Sequence, residues 1–186
     1  MNLSWWQGLI LGLVQGLTEF LPVSSSGHLV VAQGLVGFQP SGVAFEVSLH
    51  VATLLSVLVV YRERVTTLAG GILRGDRDSL RYVGLLLLAS VPAGIVGIAL
   101  KDFFESAFSS YLTVGIDFLV TAAILFSTRW VIARADRKEI SPLAAFGIGC
   151  AQAVAILPGV SRSGTTIAAA IWGKIDPAKA AEFSFL

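Results

Sequence analysis

The fold is decided by a stretch of sequence that occurs twice. GLVQGLTEFLPVSSSGH, residues 12–28, aligns without a gap with GCAQAVAILPGVSRSGT, residues 149–165. Apolar chains use few residue types and can align by chance, but a shared Gln, two Ser and two Gly in one register indicate an internal repeat. The identical pairs lie 137 positions apart: Gly12/Gly149, Gln15/Gln152, Val23/Val160, Ser24/Ser161, Ser26/Ser163 and Gly27/Gly164.

The composition predicts that this chain lies in a membrane. Hydrophobic residues make up 55% of it and charged residues 13%, whereas an ordinary soluble domain has about 25% charged residues. So few charges could not cover a water-facing surface. A net charge of +1 argues against a nucleic-acid partner, and the single cysteine, Cys150, excludes an internal disulfide.

Three segments are long and apolar enough to cross a bilayer: about 45–61, 82–100 and 111–132. Arginines are concentrated between the first two segments and again after the third. The loop at 101–110 has Lys101 as its only base. Because short basic loops stay in the cytoplasm, we expect the loop at 101–110 to face outward.

Each copy of the repeat is predicted to form a re-entrant hairpin, at about 5–37 and 142–173. In both, an apolar helix is followed by a break rich in Pro, Gly and Ser and then by a second short apolar run. Irregular backbone is tolerated within a membrane only where it is buried in protein or lines a cavity. Three spans separate the hairpins, so the second hairpin enters from the opposite face, and such inverted repeats place binding sites near the midplane.

The prediction is therefore an all-α integral membrane protein with an inverted-topology repeat. It forms a single membrane domain, residues 1–186, with the first repeat at 1–137 and the second at 138–186. We expect the second repeat to be incomplete, because the final AEFSFL resembles FEVSL at the start of the first span. Stripes of small residues at four-residue spacing lie on one helix face in each copy and permit close helix approach: Gly8, Gly12, Gly16 and Ala145, Gly149, Ala153.

The first polar cluster contains a carboxylate that is costly in a membrane. Gln15 and Glu19 are four residues apart and share a helix face. A charge at the bilayer centre costs roughly 2.5–3.5 kcal/mol on insertion scales, so such a residue is a functional candidate. Glu19 is predicted to be a metal ligand or a general acid/base. The alternative is a solvated carboxylate at the membrane interface.

Each repeat also contains a predicted anion cradle at the start of a helix. A serine there caps the helix, and the free N–H groups and the positive helix end attract phosphate. His28, beside the first cradle, is a candidate nucleophile or general acid/base, although a lone histidine is more often structural. The substrate-binding candidates are Gln15, Ser24, Ser26, Gly27, Ser161, Ser163, Gly164, Thr165 and Thr166.

Three further charged or titratable positions belong to the prediction. Arg162 lies in the second cradle, and its fork of donors suits phosphate; the alternative is a side chain that snorkels to the interface. Glu46 and His50, one helical turn apart, are candidate supports behind the site, or else solvated interfacial residues. Asp117, within the third span, has no predicted role.

Together these residues predict a membrane-buried site for a phosphate-bearing lipid. They do not separate hydrolysis from transport. Inverted repeats with midplane sites are typical of transporters, so a transporter or a lipid-phosphate flippase is the alternative to an enzyme.

QGLTEFLPVSSSGH and PGVSRSGTT resemble the two signature motifs of the bacterial undecaprenyl-diphosphate phosphatase (bacitracin-resistance) family, and FEVSLHVATLLSVLVVYRERV and AAEFSFL extend the resemblance. The resemblance implies hydrolysis of undecaprenyl diphosphate to undecaprenyl phosphate and phosphate, which recycles the carrier lipid for cell-wall synthesis. It also implies a divalent cation, Mg²⁺ or Ca²⁺, and a location in the bacterial plasma membrane with the active site on the outer, periplasmic side. A homo-oligomer is left open.

By this resemblance Glu19 falls in the family's acidic motif, Ser25 and His28 in its serine-rich loop, and Arg162 in its second loop. The nucleophile stays open between His28, Ser25 and water. One departure concerns Gln15, since the family's acidic motif often begins with Glu. Glu19 is then the carboxylate of this motif that would hold the cation.

Overall fold

The structure is a computed structural model that describes residues 3–38, 44–108 and 110–186. Ser109, in the predicted outer loop, lies outside the described residues. The described part of the chain is all-helical, with one isolated bridge between Arg137 and Ile175. The α-helices are α1 (Trp5–Thr18), α2 (Ser25–Leu35), α3 (Ala44–Val60), α4 (Arg62–Leu73), α5 (Arg77–Ala99), α6 (Lys101–Ala107), α7 (Tyr111–Thr128), α8 (Pro142–Val154), α9 (Arg162–Trp172) and α10 (Pro177–Phe185); a short 3₁₀ helix follows α7 at Ile132–Arg134.

The two repeated stretches form two similar helix pairs, α1–α2 and α8–α9. Helices α2 and α9 each have 11 residues, and both their first and their last residues differ by the 137 positions seen in the sequence repeat. In the first pair the helices are antiparallel, because Gln7 near the start of α1 donates to the carbonyl of Val36, after the end of α2, at 2.9 Å. The predicted placement of these pairs as re-entrant hairpins in a membrane stays a prediction.

Two helices, α5 and α7, are long and apolar enough to cross a membrane. A third span is counted if α3 and α4 act together, since they are bent by 79° at their junction. Helices α5 and α7 lie at the predicted second and third spans, whereas α3, at the predicted first span, reaches the required length only together with α4; that these helices cross a membrane stays a prediction. The third span was predicted to reach residue 132, but α7 ends at Thr128, where the backbone turns and the Arg129 N–H bonds to the carbonyl of Phe126.

Helix α8 packs closely against α5, as the second small-residue stripe permits. Ala145, Gly149 and Ala153 are all buried, and a Cβ added at Gly149 would lie 2.9 Å from the carbonyl carbon of Ala89. The first stripe has no such close neighbour at Gly12 and Gly16 among the described residues. A Cβ at Gly12 or Gly16 would have no described heavy atom within 4 Å, so that face of α1 meets no described helix closely.

Helix α10 is attached to α4 and α9 by polar contacts. Glu182 accepts from Arg64 on α4 at 2.6 Å and from Lys179 at 2.9 Å, while Ser184 and Thr166 are joined at 2.6 Å. Burial raises the pKa of Glu182, but the Lys179 and Arg64 cations more than offset it, so that this pKa lies below its ordinary value. The carboxylate therefore stays ionised at neutral pH and holds α10 beside α4, while the contact between Ser184 and Thr166 links α10 to α9.

We expect Gly149→Ala to destabilise the protein by about 1–3 kcal/mol, because the added methyl meets the backbone of α5, which cannot give way cheaply. Gly147→Ala on the same helix is the matched control. A Cβ there has no described heavy atom within 4 Å, so this change should be neutral or slightly stabilising. Thermal unfolding of the detergent-purified variants measures both; equal melting temperatures for the two would contradict the close packing of α8 on α5.

Candidate active site

The loops between the paired helices contact each other, as expected for the two repeats. The N–H of Gly159 in the second loop donates to Ser24 Oγ in the first at 3.2 Å. A Cβ added at Gly27 would lie 2.9 Å from the Cα of Gly159. Gly159 itself has a φ of 109°, a left-handed conformation that favours glycine. The two polar breaks thus form one continuous junction.

Both predicted serine caps are present and make the same hydrogen bond, although the backbone differs: φ is 66° at Ser24 and -72° at Ser161. Ser24 Oγ accepts from the N–H of Gly27 at 3.3 Å, and Ser161 Oγ accepts from the N–H of Gly164 at 3.0 Å. The first helical residues, Ser25 of α2 and Arg162 of α9, therefore follow repeat-related caps. Each helix presents its positive end at the loop junction.

Glu19, at the end of α1, is bound by donors from three parts of the chain. Arg162 Nη2 donates to its Oε1 at 2.7 Å, and Gln15 Nε2 donates to its Oε2 at 2.9 Å. Ser25 Oγ also donates to Oε2. The Glu19 side chain is only 8% exposed, whereas that of Arg162 is 58% exposed. The carboxylate is thus fixed, while the guanidinium can still be reached from outside.

Two cavities meet at this ion pair. The first, of about 810 Å³, is lined by the loop serines and by Lys101, Phe104, Phe108 and Tyr111 from the region of the predicted outer loop. The second, of about 590 Å³, is lined mainly by apolar residues of α3, α5 and α10. Five residues line both cavities: Glu19, Glu46, His50, Arg162 and Ser163.

Most of the predicted site residues come together here. Besides those shared by both cavities, the first cavity is lined by Ser24, Ser25, Ser26 and Ser161, and the second by Thr166. Gln15 reaches the site through Glu19. Gly27, Gly164 and Thr165 are buried behind the cavity walls, where the two glycines allow the loops to pack.

His28 has a different position from the one expected of a nucleophile. Its Nδ1 lies 2.8 Å from the carbonyl oxygen of Ser24, and its ring packs on Phe118 of α7 at 4.9 Å between centroids. It is not among the lining residues of either cavity. Its predicted catalytic role stays a prediction, and the geometry favours Ser25, whose hydroxyl is already bonded to a carboxylate.

Sequence reasoning missed the support from α7. Thr121 Oγ1 donates to the carbonyl of Gly159 at 2.8 Å and accepts from the N–H of Ser161 at 2.9 Å, so one hydroxyl satisfies two groups of the second loop. Asp117, one turn before Thr121, is buried and packs against Gly159. A Cβ added to Gly159 would lie 2.6 Å from the Cβ of Asp117. The one available signal was a pair of polar residues one turn apart in an otherwise apolar span.

The oxygens beside Glu19 have the chemistry that a divalent cation requires. Within the described ranges there is no group of three or more His, Cys, Asp or Glu that could hold a metal ion. The Oε1 of Gln15 is buried without a hydrogen-bond partner in the described structure, beside the Glu19 carboxylate. Carboxylate and amide oxygens fit Mg²⁺ or Ca²⁺, and Mg²⁺ usually binds one or two carboxylates together with substrate phosphates.

The described fold and site define a class: a helical protein with helices long and apolar enough to span a membrane, in which two helix N-termini and an arginine converge. Comparison with known proteins identifies the family. The model of the family described as Bacitracin resistance protein BacA matches residues 8–186, and the chain belongs to this family.

Several relatives are similar over nearly the whole chain. An undecaprenyl-diphosphatase of Bacteroides thetaiotaomicron is 44% identical over 99% of this chain and 70% of its own length. The undecaprenyl-diphosphatase of Desulfosudis oleivorans is 45% identical over 97% of this chain and 71% of its own length. Undecaprenyl-diphosphatase 4 of Bacillus thuringiensis is 40% identical over 99% of this chain and 69% of its own length.

Proposed function

We propose that this protein hydrolyses undecaprenyl diphosphate to undecaprenyl phosphate and inorganic phosphate. The observation that carries the proposal is the Glu19–Arg162 pair, which lies between the N-termini of α2 and α9 and on the wall shared by both cavities. The names of the relatives and the family membership support the same activity. The alternative to an enzyme is a transporter, and none of those relatives is named as one.

The Glu19 carboxylate lies where donors for an anion converge. Arg162 is bonded to it but more than half exposed, so a substrate phosphate can compete for the guanidinium. Phosphoryl transfer depends mainly on positioning and on neutralising the charge of the transferred group. Arg162 and the N–H groups at the starts of α2 and α9 supply that neutralisation without a large rearrangement.

We assign the attack on the terminal phosphorus to Ser25. Its hydroxyl is hydrogen-bonded to Glu19 Oε2, so the carboxylate can take the proton as the new Oγ–P bond forms. The bond from phosphorus to the bridging oxygen breaks, and undecaprenyl phosphate leaves with that oxygen. Water then cleaves the phosphoserine and releases inorganic phosphate. A divalent cation held by Glu19 would supply further neutralisation of phosphate charge.

We further propose that the protein lies in the bacterial plasma membrane and that the first cavity opens to the outer side. Its lining contains Lys101, Phe104, Phe108 and Tyr111, from the sparsely basic region that the charge pattern assigns to the outside. Gly97, near the end of α5, also lines this cavity, whereas Leu86, Ala89 and Ser90 line the second. The ion pair would therefore lie inward from the outer end of α5.

Cysteine labelling in intact cells should report this orientation. We expect Ser106→Cys, at an exposed position of α6, to react with an impermeant maleimide, and Arg77→Cys, exposed at the start of α5, to react only after the cells are opened. Both changes need a Cys150→Ala background, because Cys150 is exposed. The reverse labelling pattern would contradict both the charge-based topology and the outward opening of the first cavity.

Arg162→Lys should lose turnover by about tenfold to a thousandfold, similar to Glu19→Gln, because lysine keeps the charge but loses the fork of donors. Phosphate release from undecaprenyl diphosphate by detergent-purified protein is the measurement. Arg81→Lys is the matched control. Arg81 is also an ion-paired arginine, 3.5 Å from Glu139, and its 56% side-chain exposure is close to the 58% of Arg162, yet it lines neither cavity of the site.

Near-normal hydrolysis by Arg162→Lys would remove this residue from the phosphate site. If the unchanged protein released no phosphate with any divalent cation, while labelled lipid moved between leaflets, the transporter alternative would replace the enzyme.

A further inference from the structure

Glu46, near the start of α3, has one carboxylate oxygen bound and the other not. Its Oε1 accepts from Gln33 Nε2 at 2.9 Å. Its Oε2 is buried and has no hydrogen-bond partner among the described residues. A buried carboxylate oxygen without a donor is costly, so a native site that keeps one indicates a bound group.

The position of Glu46 relates it to the reaction site. It lines both cavities together with Glu19 and Arg162, which places it where the cavities meet. The charge of Glu19 is balanced by Arg162 at 2.7 Å, whereas in the described part of the chain Glu46 is in no ion pair. Among the described residues, Glu46 is therefore a carboxylate of this wall without a salt-bridge partner.

A second orphaned oxygen belongs to Gln15, the residue whose amide nitrogen is bonded to Glu19. Gln15 is 1% exposed, and its Oε1 is also buried without a described partner while its Nε2 is bonded to Glu19. Two unpartnered oxygens, one from α1 and one from α3, therefore accompany the central carboxylate. Carboxylate and amide oxygens are the ligands that Mg²⁺ and Ca²⁺ take.

We propose that Glu46 is a ligand of the divalent cation in this site, acting with Glu19 and with the amide oxygen of Gln15. The cation would join α3 to α1 and leave its remaining positions to water and substrate phosphate. This inference rests on the proposed function for the identity of the site, but it concerns residues of this chain alone. It also explains how a site with Gln15 in its acidic motif keeps two carboxylates for the cation.

The test measures binding of Mn²⁺ alone, without substrate. Mn²⁺ is titrated into detergent-purified protein, and the free Mn²⁺ is measured from its electron paramagnetic resonance signal. Glu46→Gln keeps the size of the side chain and an oxygen that can accept from Gln33. We expect it to weaken Mn²⁺ binding by about tenfold or more, the loss typical when a metal site is disturbed. Glu63→Gln, an exposed change on α4 away from both cavities, should leave binding unchanged.

Equal Mn²⁺ affinity in Glu46→Gln and the unchanged protein would overturn the proposal. If Glu46→Gln does not elute as a folded, monodisperse species, Glu46→Asp decides instead: a shortened carboxylate should bind Mn²⁺ more weakly, and unchanged affinity would again overturn it. Hydrolysis is measured separately on the unchanged protein. Absence of phosphate release there would refute the proposed function, whereas the Mn²⁺ result alone decides the role of Glu46.

Discussion

The ion pair between Glu19 and Arg162 joins residues that are 143 positions apart, and it connects the two loops at the centre of the site. A carboxylate in so apolar a chain needs donors, because water is scarce and an unpaired charge is expensive. Arg162, Ser25 and Gln15 supply those donors from the second loop, the first loop and α1. The groups that hold Glu19 are the same groups that could bind a phosphate.

The backbone of the loops is satisfied by a small number of side chains. Ser24 Oγ receives N–H groups from both loops, at Gly27 and at Gly159, and Thr121 bridges two backbone groups of the second loop. Non-helical backbone can exist at membrane depth only when such partners are present. Glycine at 27 and 159 leaves the room in which the loops and α7 approach each other. These contacts fix the start of α9 and hence the position of Arg162.

The sequence was sufficient to predict the structural features that belong to its internal repeat. The repeat register predicted corresponding helices, and the bounds of α2 and α9 agree with it at both ends. It also predicted the serine caps, because a hydroxyl before a helix bonds locally and needs no tertiary information.

Other features depended on contacts between distant segments. Nothing in the sequence indicated which loop Thr121 would face, or that the ring of His28 would pack on Phe118 instead of lining a cavity. The small-residue stripes had the same limit, since four-residue spacing shows which face a glycine occupies but not whether a helix lies opposite, and a close neighbour is described for Gly149 but not for Gly12. Interactions between residues close in the sequence could be predicted from it, whereas contacts between distant segments could not.

A double-mutant cycle on turnover tests the central claim most directly, namely that Glu19 and Arg162 act as one unit across the repeat. Phosphate release is measured for Glu19→Gln, Arg162→Lys and the double variant. Residues that act together are strongly non-additive, so the double variant should lose little more turnover than either single variant. Losses that multiply, as for independent sites, would contradict the account.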